Sequence, residues 1–253
     1  MHSKGPLLED KIAIITGASR GIGAEIAKSF GKSGANVAIC FNKQKEQAKK
    51  VRAEILKHSV CEVFQCDISN VNSIKKTVKD IIKKFKRIDI LVNNAGVLKQ
   101  TDFVRITEKE YDWIMNTNLK GAFFLSQAAI PYLIKSKGTI INIASVGGQR
   151  GGPKAPHYSA SKAGVISLTR SLSNLYAPSG IRVNAISPGQ IETEMSKKIF
   201  QSKAYGENVL PNIPLGRVGT TQDVANAALF LASDLASYIT GQVINVNGGE
   251  YLG

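Results

Sequence analysis

The chain reads as an α/β protein built on a doubly wound parallel sheet, and three observations carry that reading. Apolar runs of strand length alternate with helical patterns over nearly all of the 253 residues. A glycine-rich turn joins the first strand to the first helix, and no repeat, linker or low-complexity tract breaks the alternation.

Residues 12–15, 37–40, 62–65 and 88–92 are the strand runs of the first half. Between them lie a helix opening at Ile22, a helix over 46–56 and a lysine-rich helix over 71–87. In the last of these, Val71, Ile74, Val78, Ile81, Ile82 and Phe85 keep a helical period. Lys75, Lys76, Lys79, Lys83 and Lys84 fill the remaining positions, so the lysines form a solvated face. The second half continues with a long helical stretch over 108–134, a strand at 139–144, a helix carrying Tyr158 and Lys162, and a strand at 182–187. A Pro/Gly-containing segment over 188–219 then leads to a helix over 223–231 and a last strand at 242–246. Seven strand runs with intervening helices imply one parallel sheet covered on both faces. A 43% hydrophobic chain of this length can bury one sizeable core, so residues 1–253 are expected to form a single domain.

Composition narrows the function classes. Cys40, Cys61 and Cys66 form no Cys-x-x-Cys pair and no even framework, which fits small apolar fillers in a reducing compartment. The first six residues lack the apolar core of a signal peptide and no run is long enough to span a membrane, so a cytoplasmic location is expected. The net charge of +14 raises polyanions and acidic partners as candidates. No aromatic residues interleave with the lysines as a single-strand platform requires, and no zinc-finger spacing occurs. Neither a nucleic-acid partner nor a metal site is expected.

Two motifs carry chemistry. The turn Thr16-Gly17-Ala18-Ser19-Arg20-Gly21-Ile22-Gly23 follows the first strand, where glycines permit a tight turn and close backbone approach to a phosphate. The next helix then aims its N-terminal amides at that anion. The second motif is Tyr158-Ser159-Ala160-Ser161-Lys162, with Ser145 thirteen residues upstream. An i, i+4 pair shares one helix face, so the Lys162 ammonium can lie beside the Tyr158 phenol and bias it toward phenolate. Bringing a phenol from pH 10 to around 7 needs roughly 4 kcal/mol, much of which a nearby cation can supply. By itself the pair also fits a half-buried aromatic and a solvated amine.

With these motifs stand Asn93-Asn94-Ala95-Gly96 after the fourth strand, Asn118, and Pro188-Gly189 followed by Thr193. In this order and spacing the chain resembles the short-chain dehydrogenase/reductase family from Lys11 to the carboxyl terminus. The resemblance implies a single-domain Rossmann fold and catalytic roles for Asn118, Ser145, Tyr158 and Lys162. Tyr158 is then the general acid toward a carbonyl oxygen, with Ser145 holding that oxygen. Lys162 lowers the Tyr158 pKa and binds the nicotinamide ribose, and Asn118 connects a proton relay. It further implies dinucleotide contacts from Gly17, Ser19, Arg20, Gly21, Ile22, Gly23, Asp67, Ile68, Asn94, Ala95, Gly96, Pro188, Gly189, Ile191 and Thr193. Asn93 to Gly96 also suit a structural turn, Asp67 a plain turn residue, and His157 a packed or surface side chain.

At the end of the second strand an acidic residue would bond the ribose hydroxyls of NAD and repel a 2′-phosphate. This chain has Asn42 and Lys43 there, with Arg20 in the glycine turn, so NADP(H) is expected. The carboxyl-terminal phrases, among them Ile213-Pro214-Leu215-Gly216-Arg217 and Val246-Asn247-Gly248-Gly249, resemble the subgroup that reduces 3-oxoacyl thioesters on acyl carrier protein in fatty-acid synthesis. Related sugar, steroid and small-alcohol dehydrogenases, including glucose 1-dehydrogenase-like enzymes, share these phrases and form the alternative. A non-catalytic dinucleotide sensor or nucleic-acid module is a third class, which has no use for Ser145, Tyr158 and Lys162. Lys135 and Lys137 are candidate docking cations for an acidic carrier, whereas Asn174 is neutral where the subgroup has a basic residue. The segment 190–210, with Ile191, Met195, Ile199, Phe200 and Tyr205, suits a lid over an apolar substrate. A homotetramer joined through the long helices and the last strand is implied by the resemblance.

Overall fold

In the computed structural model, residues 6–193 and 209–253 are described. Seven parallel strands form one sheet in the order β3-β2-β1-β4-β5-β6-β9. These are β1 (Ile12–Thr16), β2 (Asn36–Phe41), β3 (Cys61–Gln65), β4 (Ile90–Asn93), β5 (Thr139–Ile143), β6 (Arg182–Pro188) and β9 (Val243–Val246). A separate two-residue pair joins β7 (Ile191–Glu192) to β8 (Gly219–Thr220).

Period-two burial sends alternate residues of each strand into different cores. Ala13 and Ile15 of β1 join Val37, Ile39 and Val92 beneath α1 (Gly21–Lys32) and α2 (Lys45–Ile55). Ile14 joins Ala38, Leu91, Ile140 and Val183 beneath α3 (Val71–Phe85) on the opposite face. The α3 apolar stripe is buried at Ile74, Val78 and Ile81, and Lys75, Lys76, Lys79, Lys83 and Lys84 stay outside that stripe as the spacing predicts. All three cysteines are free and buried, and burial pushes each thiol up, that of Cys61 to about 12.

The long helical stretch of the second half is not one helix. It divides into α4 (Glu108–Met115), a π-helical segment (Asn116–Lys120) and α5 (Gly121–Ser136). A π turn takes in one extra residue and rotates the chain, which brings Asn118 inward to 2% exposure. There follow α6 (Val146–Arg150), α7 (Pro156–Tyr176) and α8 (Thr221–Ala232). A capping box between Thr220 and Asp223 starts α8, and Arg217 beside Asp223 holds that carboxyl well below the usual range. Among the described residues no helix is long and apolar enough to cross a membrane.

The chain runs outward from β1 through β2 to β3, then returns to place β4 on the other side of β1. Ligands in open α/β sheets bind beyond the strand carboxyl ends at such a reversal. The glycine turn after β1 and the segment after β4 meet there.

Candidate active site

The glycine turn is shaped to take something at its backbone. Gly17 and Gly21 have φ of 63° and 59°, a region that L side chains rarely adopt. A Cβ on Gly23 would stand 2.3 Å from Asn94 Nδ2 and 2.7 Å from the Gly17 carbonyl, so only glycine fits. The α1 N-terminus has no side-chain cap and no acid in its first turn, which leaves its amides and dipole available to an anion. Arg20, the N-cap residue, is exposed, as are Asn42 and Lys43 at the end of β2. Neither cation enters an ion pair among the described residues. Thr193 lies beside the turn, its Cγ2 3.7 Å from where a Gly21 Cβ would be.

The turn is held from β4. Asn94 donates from Nδ2 to the Thr16 carbonyl at 2.8 Å and to that of Gly17 at 3.3 Å. Thr16 Oγ1 accepts from the Asn94 and Ala95 amides at 3.0 Å each. The Asn94 side chain is thus occupied as a brace. Asp67 closes its own turn, with Oδ1 accepting from the Ser69 amide and hydroxyl at 3.0 and 2.7 Å, while Ile68 is buried behind it. Gly189 donates its amide to the Val246 carbonyl at 3.0 Å, and Ile191 is buried in the short β7 strand.

The four residues expected to act together do converge. Ser145 is the N-cap of α6, and its Oγ accepts from the Gly147 amide at 3.1 Å. That bond engages the oxygen as an acceptor and leaves the Ser145 proton to donate, and the hydroxyl is close enough to the Tyr158 phenol to lower its pKa. Lys162 is 4% exposed, donates to the Ile143 carbonyl at 2.7 Å and sits 5.8 Å from the Tyr158 ring centroid. Asn118 clamps Val97 by accepting its amide at 2.8 Å and donating to its carbonyl at 3.0 Å, with a further bond to Ser161 Oγ. A Cβ on Gly96 would lie 3.4 Å from both Asn118 Oδ1 and Lys162 Nζ, so Gly96 forms the floor between them.

The electrostatics differ from the expectation drawn from spacing. Burial pushes the Tyr158 phenol up, and the Ser145 hydrogen bond offsets only part of that. Burial also brings Lys162 down to about 8. The ammonium donates to the Ile143 carbonyl and lies beside the ring, while burial remains the largest influence on the phenol.

Several buried polar contacts escaped sequence reasoning. Asn93 donates to Asn142 Oδ1 at 2.8 Å and to Ser126 Oγ, and Asn142 donates to Thr169 Oγ1 at 2.9 Å, which ties β4, β5, α5 and α7 together. An asparagine inside the apolar run Thr139–Ile143 was the one available signal. His157, only 4% exposed, faces Glu110 of α4 with Nε2 3.2 Å from Oε1, and Lys99 also bonds that carboxylate. The Lys99 hydrogen bond is the largest influence holding Glu110 below its usual range. His157 is therefore a packed side chain. Lys135 and Lys137 are exposed but precede β5, at the strand end opposite Ser145. Of the segment 190–210, Met195, Ile199, Phe200 and Tyr205 lie outside the described residues.

Comparison with known proteins shows the family. A family model described as enoyl-(acyl carrier protein) reductase matches residues 17–250. The chain is similar to the 3-oxoacyl-[acyl-carrier-protein] reductase of Staphylococcus aureus strain Mu50, with 43% identity over 244 residues covering 96% of this chain and 98% of the relative. It is 42% identical to the enzyme of that name from Thermotoga maritima, with the same coverage. A solved structure described as a short-chain alcohol dehydrogenase of Sinorhizobium meliloti 1021 superposes with a TM-score of 0.92 at 37% identity, covering 96% of this chain and 97% of the other. The chain belongs to the short-chain dehydrogenase/reductase family and is an oxidoreductase acting on the CH–OH/C=O pair.

Proposed function

We propose that the protein reduces the 3-oxo group of an acyl thioester to the 3-hydroxyacyl product with NADPH, the acyl chain being presented on acyl carrier protein in fatty-acid synthesis. The observation that carries this reading is the junction of Ser145, Tyr158 and Lys162 over Gly96, next to a glycine cradle at the sheet reversal.

The residues of the cradle fit a dinucleotide. A side chain on Gly17 or Gly23 would fill the space, the α1 amides are uncapped, and Arg20 and Lys43 supply exposed cations where a 2′-phosphate would lie. When bound, the nicotinamide supplies the hydride. Ser145 donates a hydrogen bond to the substrate oxygen, because its own oxygen already accepts from Gly147. Tyr158 gives up its proton to the same oxygen, and its raised pKa keeps that proton in place at neutral pH. Lys162 provides a positive charge beside the phenol as the proton leaves, and Asn118 fixes the Val97 backbone against this group.

The chain acts as one domain in the cytoplasm in this reading, and further copies complete it as a homotetramer. The half-exposed edge strand β9 and the exposed Trp113, Phe123 and Leu175 are surfaces such copies would cover. Purified protein is expected to oxidise NADPH with acetoacetyl thioesters and to prefer NADPH over NADH. Turnover of glucose or simple ketones without thioester turnover would instead assign a sugar or alcohol dehydrogenase.

A further inference from the structure

We propose that Glu250, in the carboxyl-terminal tail, is a positioning residue that braces the Ser145 wall of the active site against the Pro188-Gly189 wall. The inference rests on the reading of this site as one that reduces a carbonyl. Arg150 ends α6, the short helix that Ser145 caps, and its Nη2 donates to Glu250 Oε1 at 2.6 Å. Gln190, directly after Pro188-Gly189, donates from Nε2 to the same oxygen at 3.3 Å. One carboxylate oxygen therefore accepts from both walls. The other oxygen presses on the second wall itself, since a Cβ on Gly189 would come within 2.7 Å of Glu250 Oε2.

The burial of this group separates direction from mere stability. The Glu250 side chain is 5% exposed, against 44% for Arg150, and Oε2 is buried without a hydrogen-bond partner among the described residues. A carboxylate in that state is a poor stabiliser, and an apolar side chain of similar volume fills such a space at lower cost. What the carboxylate adds is a fixed geometry between two walls, which it reaches from 100 and 60 residues away in sequence. The tail that carries it is itself stapled. Asn247 Oδ1 accepts the Gly249 amide at 2.9 Å, and Asn247 Nδ2 donates to the Tyr251 carbonyl at 2.9 Å. A second tie parallels the brace, with Ser187 Oγ donating to Gln149 Oε1 at 2.6 Å. Ser145 must meet the substrate oxygen while the Pro188-Gly189 segment faces the dinucleotide. A shift between these walls therefore changes the reacting geometry without removing any reacting group.

Glu250→Met, Glu250→Gln, Arg150→Met and the Glu250→Met/Arg150→Met double variant test the brace by steady-state kinetics and thermal unfolding of the full chain. Glu250→Met is expected to lower kcat about tenfold, because misplacements near 1 Å cost up to about a hundredfold. KM for NADPH should change less than about threefold, and the unfolding midpoint should hold or rise, as apolar replacement of a buried charge allows. Glu250→Gln should recover part of kcat, since its amide oxygen still accepts from Gln190. The double variant should be no slower than Glu250→Met, because both changes cut one tie. Wild-type kcat in Glu250→Met, or losses that multiply in the double variant, would overturn the brace. Should the wild type fail on thioesters, the substrate reading fails by itself. The ratios of variant to wild type are then measured on the carbonyl or alcohol it does accept, and they decide the brace in the same way.

Discussion

The two halves of the active site are built by different means. The glycine cradle, after β1 and β4, is braced inside by backbone and neutral groups, the glycines, the Thr16 hydroxyl and the Asn94 amide, with the cations Arg20 and Lys43 exposed at its rim. The side around Ser145 and Tyr158 buries charge, with Lys162 and the Glu250 side chain both at 5% exposure or less. A backbone cradle binds an anion with fixed dipoles and needs no titrating group of its own. Proton transfer needs groups whose charge can change, and burial is what moves their pKa values. The difference teaches that changes on the first side should alter binding, and changes on the second should alter rate and pH response.

The strongest way to break this division is Tyr158→Phe. It should lower kcat by about a thousandfold, within the usual range for a general acid, and leave the dissociation constant for NADPH within about twofold, as read by fluorescence titration. Substantial residual turnover would remove Tyr158 from the acid role. The converse is Gly23→Ala, whose methyl group would displace Asn94 from its bonds to Thr16 and Gly17. It should weaken dinucleotide binding about a hundredfold and cost about 1 to 3 kcal/mol of stability through overpacking. Calorimetric titration showing wild-type affinity would mean that the cradle lies elsewhere.

Lys162→Met sharpens the comparison, because it should separate stability from function. Lys162 binds its proton up to a pH of about 8 in the fold, against 10.5 in the unfolded chain. The unfolded state therefore holds more protons between those values, so wild-type stability should rise with pH there. At pH 7 the charged form carries a penalty of about 3 kcal/mol. Orphaning the Ile143 carbonyl returns about 1 kcal/mol of loss, so Lys162→Met should be more stable than wild type by about 2 kcal/mol. Denaturant unfolding at pH 7 and pH 9.5 checks this, and equal stabilities at pH 7 would contradict it.

The smallest effect concerns the pH profile. With Tyr158 raised and Lys162 near 8, kcat/KM for reduction should be flat below pH 8 and fall as Lys162 loses its charge. The fall should steepen toward tenfold per pH unit. A limb governed by Tyr158 at lower pH would restore the phenolate expectation.

Much of this was legible in the chain. The seven strands, the lysine face of α3 and the glycine turn follow from period, propensity and backbone freedom, which are local properties. The convergence of Asn118, Ser145, Tyr158 and Lys162 followed from resemblance to a family, whose spacing encodes contacts that no local rule predicts. The π turn at Asn118 was hidden because α4 and α5 share a helical pattern on either side of it. The pairs Glu110 with His157 and Arg150 with Glu250 were hidden because partners 47 and 100 residues apart leave no periodic trace.

By itself, then, the sequence determined the order of strands and helices along the chain, the cradle, and which residue types were present for acid chemistry. Only the tertiary structure decided which way the proton affinities of those residues shift. Desolvation depends on everything packed around a group, and that packing raised Tyr158, lowered Lys162 and aimed the ammonium at a strand carbonyl. It also brought the Glu250 carboxylate to Arg150 and Gln190, partners far away in sequence, once β9 pairs with β6.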